Sequence, residues 1–123
     1  MRHTAKFIST TASVTALLGS LALALPAISY ADDTTIKEGK EIAFDRTKGN
    51  CLSCHKMQGG SLEGNIGPEL VGMKARFPDK AVLRSQVYDS RINNPVTIMP
   101  PFGKHEVLTS AEVDKVVDYI HSL

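Results

Sequence analysis

Both cysteines of the chain stand three positions apart, Cys51 and Cys54 in "GNCLSCHKMQGG", and His55 follows the second directly. That spacing narrows what the chain can fold around. A disulfide between them would close only a tiny loop, where the entropic benefit of a cross-link is least. A structural zinc site wants four ligands. The chain has no second Cys pair, and His105 and His121 sit near a segment that reads as a helix needing no metal. A thioredoxin-like redox pair expects a βαβ surround, and no run of alternating apolar and polar residues argues for a sheet.

The length of 123 residues allows one domain. Residues 1–31 open with Arg2 and Lys6, continue into an apolar run from Val14 to Leu25, and close with Ser29 and Ala31 framing Tyr30. This is the order of a secretory signal peptide, with the cut expected after Ala31. The apolar run of about a dozen residues falls short of the roughly 20 that span a bilayer. Loss of Arg2 and Lys6 turns the formal charge from +1 to −1, so nothing points to nucleic acid. The remaining domain, residues 32–123, is small for burying a core and has no Trp and 6% aromatic residues overall. Such a chain often needs a staple or a cofactor in its middle.

C-x-x-C-H is the spacing of c-type haem attachment. Two thiols about a turn apart reach the two vinyl groups and form thioethers, and the next residue, His55, is carried beneath the iron as its proximal ligand. The haem then supplies the missing core as a large apolar plate. The second ligand decides between closed electron transfer and open-site chemistry. Met57 is too near His55 to reach the other face, and Met73 follows "GPELVG", still near the proximal side; both read as core filling. Met99, in "TIMPPFG", sits where Pro100, Pro101 and Gly103 would hold a loop against the haem, and it is the favoured ligand. His105, just outside that stiff loop, is the rival.

The remaining signals describe helices at both ends with loops between. Thr35 and Glu38 form a capping box, predicting a helix to about Arg46 that stops near Lys48-Gly49-Asn50. Gly39 and Ala43, one turn apart, offer it a flat patch for close packing. Thr109 and Glu112 repeat the box, and Val113, Val116, Val117 and Ile120 give the last helix one apolar face. A third helix is predicted over Asp79–Asp89, with Ala81, Val82, Leu83, Val87 and Tyr88 as its apolar surface. The Gly- and Pro-rich stretches "QGGSLEGNIGPELVG" and "NNPVTIMPPFG" read as loops, where Gly59 and Gly60 serve loop geometry. Asn93 and Asn94 either brace the Met99 loop or form a simple turn. Lys74, Arg76, Lys80 and Arg84 form a basic stretch, either a solvated face or, through Arg76, a partner for a haem propionate or another subunit.

Residues 32–123 as a whole resemble the class I cytochromes c: an amphipathic helix leading into Cys51-x-x-Cys54-His55, then Gly67-Pro68-x-Leu70, then Met99-Pro100, then a closing helix. The resemblance implies an all-α fold around one covalently attached haem. It also implies that the Pro68 carbonyl accepts a hydrogen bond from the proximal imidazole and that Leu70 packs on the haem, a second shell that orients the ligand. The longer lead "DRTKGN" before Cys51 departs from the pattern and leaves Phe44 and Tyr119 as candidates for the helix-crossing aromatic. Four phrases, "GNCLSCHKMQGG", "GNIGPELVGMKARFPDKAVLRSQVYD", "NPVTIMPPFGKHEVLT" and "EVDKVVDYI", together resemble the SoxX family, the monohaem subunits of periplasmic SoxAX sulfur-oxidation complexes. That resemblance implies a heterodimer with the SoxA haem subunit, which joins thiosulfate oxidatively to a cysteine of the carrier SoxYZ, an L-cysteine S-thiosulfotransferase. The SoxX haem takes the released electrons and passes them to a small acceptor such as another cytochrome c. With Cys51 and Cys54 both used for attachment, no catalytic thiol remains, and the chain is not expected to catalyse by itself. A free-standing respiratory electron carrier would share every haem residue. A haem sensor or gas-binding module would need a labile Met99, and a peroxidase would need distal acid–base groups, for which the chain offers no candidate.

Overall fold

Residues 32–123 are described by the structure, a computed structural model; the expected leader, residues 1–31, lies outside the described residues. Four α-helices follow in order: α1 (Asp33–Phe44), α2 (Met73–Arg76), α3 (Lys80–Tyr88) and α4 (Ser110–Ser122), with 3₁₀ turns at Cys51–Ser53 and Ser90–Ile92. Among the described residues there is no strand, only an isolated parallel bridge between Met57 and Leu70. No helix among them is long and apolar enough to cross a membrane. The fold is all-α, as expected.

α1 starts earlier than the Thr35–Glu38 box predicts. Asp32 is its N-cap, and the Asp32 carboxylate accepts from the Thr35 backbone N–H at 2.7 Å. Asp is a stronger cap than Thr, and its charge suits the positive end of the helix. The helix ends at Phe44, two residues before Arg46, because the Asp45 carboxylate accepts from both Thr47 N and Thr47 Oγ1 at 2.7 Å and turns the chain. At α4 the expected box is present: Glu112 N donates to Thr109 Oγ1, and Thr109 N donates to Glu112 Oε2. α3 lies within its predicted limits, capped by the Asp79 side chain on Ala81 N at 2.8 Å. Only Leu83 and Val87 of its expected apolar set are buried. Val82 is 49% exposed, and Ala81 is exposed too, because α3 turns a single face to the rest of the molecule.

α1 and α4 cross at the small patch. Gly39 and Ala43 are buried, and a Cβ added at Gly39 would collide with the Lys115 carbonyl and press on Tyr119 Cβ. Phe44 and Tyr119 both take part in the crossing, edge to face, with ring centroids 6.0 Å apart at 77°. α4 also receives α3, through Leu83 and Val87 and through Lys80–Asp118 and Arg84–Asp114 ion pairs of 2.5 Å each. The buried faces of α1, α3 and α4, with Met57, Leu70, Met73, Phe102 and Leu108, form one apolar cluster. Gly39→Ala drives a methyl into backbone rather than into a movable side chain, so it costs about 1–3 kcal/mol or more. A melting temperature unchanged from that of the parent would disprove the close crossing.

One ion pair ties α4 to the segment before Cys51. Lys48 Nζ reaches Glu112 Oε1 at 2.5 Å, and this bond, with those from Thr109, holds the Glu112 carboxyl down to about 2 against an ordinary 4.5. A carboxyl with a lowered folded value stabilises the fold above pH 4.5, and that contribution disappears as pH falls toward 2. Glu112→Gln removes this dependence. Its melting temperature therefore falls less than the parent's over that acid interval, and parallel profiles would refute the coupling.

Candidate haem site

The Cys51–Ser53 turn brings both thiols and the imidazole to one place: His55 N donates to Cys51 O at 2.9 Å, and Ser53 N to Asn50 O at 3.1 Å. Asn50, at the start of the turn, adopts a left-handed φ of 46°, which asparagine tolerates better than most residues. The following loop is laced back onto this turn by backbone bonds: Gly64 N to Leu52 O, Gly67 N to Cys54 O and Leu70 N to Lys56 O, each 2.8 Å. Two glycines allow the close approach. A Cβ at Gly64 would strike the Ser53 carbonyl, and one at Gly67 would fall on the His55 ring.

The lacing sets Pro68 O 2.7 Å from His55 Nδ1. A carbonyl only accepts, so Nδ1 carries the proton and Nε2 keeps a free lone pair. That is the tautomer a metal-binding histidine needs. Cys51 and Cys54 are not joined to each other in a disulfide, and burial pushes the Cys51 thiol up to about 11. Among the described residues no group of three or more His, Cys, Asp or Glu could hold a metal ion, so no zinc cluster is assembled.

Cys51, Cys54 and His55 open into a cavity of about 610 Å³, well inside the range of about 300–1,000 Å³ typical of ligand sites. Its walls are mostly apolar: Leu70, Phe77, Leu83, Val87, Phe102, Leu108, Val116 and Ile120. Met99 lines it as well, carried on the loop before Pro100. Ser90, fully buried, donates from Oγ to the Met99 carbonyl at 2.7 Å, and Met99 N donates to Thr97 Oγ1 at 3.1 Å. Asn93 and Asn94 divide the two expected roles. Asn94 makes the turn, accepting from Val96 N at 3.2 Å, while Asn93 Nδ2 donates to Gln86 Oε1 at 2.7 Å beside Met99. Met57 is 2% exposed and lies in the bridge with Leu70, away from the cavity. Met73 is 1% exposed and does reach the cavity wall, its Sδ taking a bond from Arg76 Nη1 at 3.2 Å. His105 does not line the cavity and sits beside Arg91 on the exposed side.

The basic stretch splits in the fold. Lys80 and Arg84 are paired with acids of α4, and Lys74 is exposed. Arg76 alone of the four lines the cavity, where Arg46 and Lys48 also stand.

A family model described as "Cytochrome C oxidase, cbb3-type, subunit III" matches residues 34–120. The chain belongs to this cytochrome c family. Among solved structures the cytochrome is similar to the crystal structure of SoxXA from P. pantotrophus, with a TM-score of 0.63 and 24% identity over 70% of this chain and 79% of that one. At that identity the likeness is one of fold. An uncharacterized lipoprotein of Aquifex aeolicus (strain VF5) is 35% identical over 75 residues, and the cytochrome spans 36% of that relative's length.

Membership implies a covalently bound haem c, and the residues present fit it. The cavity has the volume and the apolar walls for a flat macrocycle, two free thiols at its edge, an imidazole with a free Nε2 lone pair, and cations at its lining for carboxylate groups. Ser90, Gln86 and Thr97 were not legible as site residues, because Ser90 and Thr97 act on the backbone of the Met99 loop and Gln86 reaches the Met99 side chain from α3 only in the fold. Ser90→Ala leaves the Met99 carbonyl without its donor and costs about 1–3 kcal/mol. An unchanged melting temperature of the holoprotein would show that the clamp contributes nothing.

Proposed function

We propose that the cytochrome carries one haem c, attached through Cys51 and Cys54, with His55 and Met99 as axial ligands. Pro68 and Leu70 are then positioning residues, one holding the imidazole and one lining the haem. The carrying observation is the 2.7 Å contact between His55 Nδ1 and Pro68 O at the edge of a cavity that Met99 also lines. With His55 and Met99 both holding the iron, the haem would supply electron transfer rather than open-site chemistry. Arg76 serves a propionate from the cavity lining.

The reading extends to a periplasmic subunit of a SoxAX-type complex, residues 32–123 being the exported domain after removal of residues 1–31. The SoxA-like subunit is the partner. Thiosulfate is joined to the carrier cysteine of SoxYZ, and the cytochrome takes the released electrons and hands them to a small acceptor. Support comes from the shared fold with SoxXA and from the absence of any cysteine besides the attachment pair, which leaves sulfur chemistry to a partner. Ile66 and Ile98, at 65% and 76% exposure, line the cavity and give its mouth an apolar rim suited to a partner's surface. A second reading, a respiratory electron carrier, draws on the description of the matching family as an oxidase subunit.

Purification from the periplasm of thiosulfate-grown native cells, with determination of native mass and ferric absorption, separates these readings. A stable complex with a larger haem-bearing subunit and a thioether-to-iron charge-transfer band is expected. A free monomer with that band intact favours the respiratory carrier. Absence of the band, with ready binding of carbon monoxide to the ferrous protein, overturns Met99 ligation.

A further inference from the structure

α2 is four residues long, and of these Met73 alone is buried. A single turn does not sustain itself, and one buried side chain packs it only weakly, so its place is set by the bonds at its ends. The last turn of α4 supplies one at each. At the start, Gly72 N donates to Leu123 O at 2.8 Å. At the finish, His121 Nε2 stands 3.1 Å from Phe77 O. A carbonyl only accepts, so the imidazole donates.

The connection continues into the haem site. Arg76 Nη1 donates to Glu69 O at 2.8 Å, and Glu69 follows Pro68, whose carbonyl holds His55 Nδ1. The backbone lacing bonds this segment at Gly67 N and at Leu70 N. Between them Pro68 has no N–H to give, and the Arg76 guanidinium supplies a bond in that gap. An unbroken path therefore runs from His121 through α2 and Arg76 to the carbonyl that orients the imidazole.

We propose that His121 is a positioning residue for His55: by clasping Phe77 O it fixes α2, and α2 through Arg76 steadies the Pro68–Glu69 segment against the imidazole. The inference rests on His55 being an iron ligand, since the orientation of a ligating ring and its basicity follow from the partner of its other nitrogen. His121 touches neither the cavity nor His55, and it acts only through the helix it holds.

The test is hydrogen exchange at His55 Nδ1–H in the reduced, diamagnetic holocytochrome, followed by NMR. In His121→Leu this exchange speeds up about two- to tenfold, the effect of one net hydrogen bond on a local opening. The buried amides of Val116 and Val117 in α4 keep their rates. His121→Gln, which retains an N–H donor, restores the parent rate at His55. Arg76→Leu, an exposed change, speeds exchange by itself, and His121→Leu adds little in that background because the path is already cut. An unchanged rate in His121→Leu overturns the proposal. So does equal acceleration at Val116 and Val117, which marks a general loss of stability, or full additivity with Arg76→Leu. The spectrum of the reduced parent keeps two failures apart. If it is not low-spin, ligation by His55 and Met99 is wrong and the clasp falls with it. A low-spin parent whose His55 exchange ignores His121→Leu sinks the clasp alone.

Discussion

The hydrogen bond between His55 Nδ1 and the Pro68 carbonyl is the constraint on which the rest of the structure depends. It can form only because the loop from Gly64 to Leu70 is laced to the Cys51–Lys56 segment by backbone bonds, and because Gly64 and Gly67 leave room where any side chain would collide. The same lacing creates the Met57–Leu70 bridge and buries Met57 beneath it. The imidazole is thus fixed by main chain on both sides of the turn, within a short stretch of sequence. Loop closure over so few residues costs little entropy compared with a contact made across the domain.

The two halves of the site are secured by different means. The His55 half is held by a ladder of backbone bonds backed by the crossing of α1 and α4. The Met99 half is held by single side-chain bonds from Ser90, Thr97 and Gln86. A backbone ladder does not depend on side-chain identity except where Gly64 and Gly67 are needed for the close approach, whereas each side-chain bond can be removed alone. The Met99 side is accordingly where substitution can change ligand strength without dismantling the fold.

Much of this was legible in residue order, and the misses have physical causes. Caps are local, so the Thr109–Glu112 box and the Asp79 start of α3 could be read directly. The Thr35–Glu38 box has the same pattern, yet Asp32, three residues earlier, is the better acceptor and takes Thr35 N for itself. The Gly39–Ala43 patch was readable because closeness demands small residues, although its partner, the Lys115 backbone, was not. Val82 was misplaced because a short helix against one neighbour buries a narrow stripe, narrower than its apolar content suggests. C-x-x-C-H carries its chemistry in its spacing. Ser90 and Gln86 carry theirs only through a fold that brings them beside Met99.

Fold and haem chemistry are common property of respiratory and sulfur-oxidising cytochromes, so the difference between the two readings must lie on the surface. Long-range charge is a weak candidate. Of the basic stretch, Lys80 and Arg84 are engaged by Asp118 and Asp114, which reduces the field they project, and exposed charges are screened within about 10 Å at ordinary salt. The apolar residues at the cavity mouth are not compensated in this way. Ile66 and Ile98 belong to different loops, one laced to His55 and the other next to Met99. A partner that covers them touches both halves of the site together. It would also remove water from the edge of the haem, strengthening the electrostatic influence of every nearby dipole. A partner docking at this mouth would therefore act on both halves of the site together.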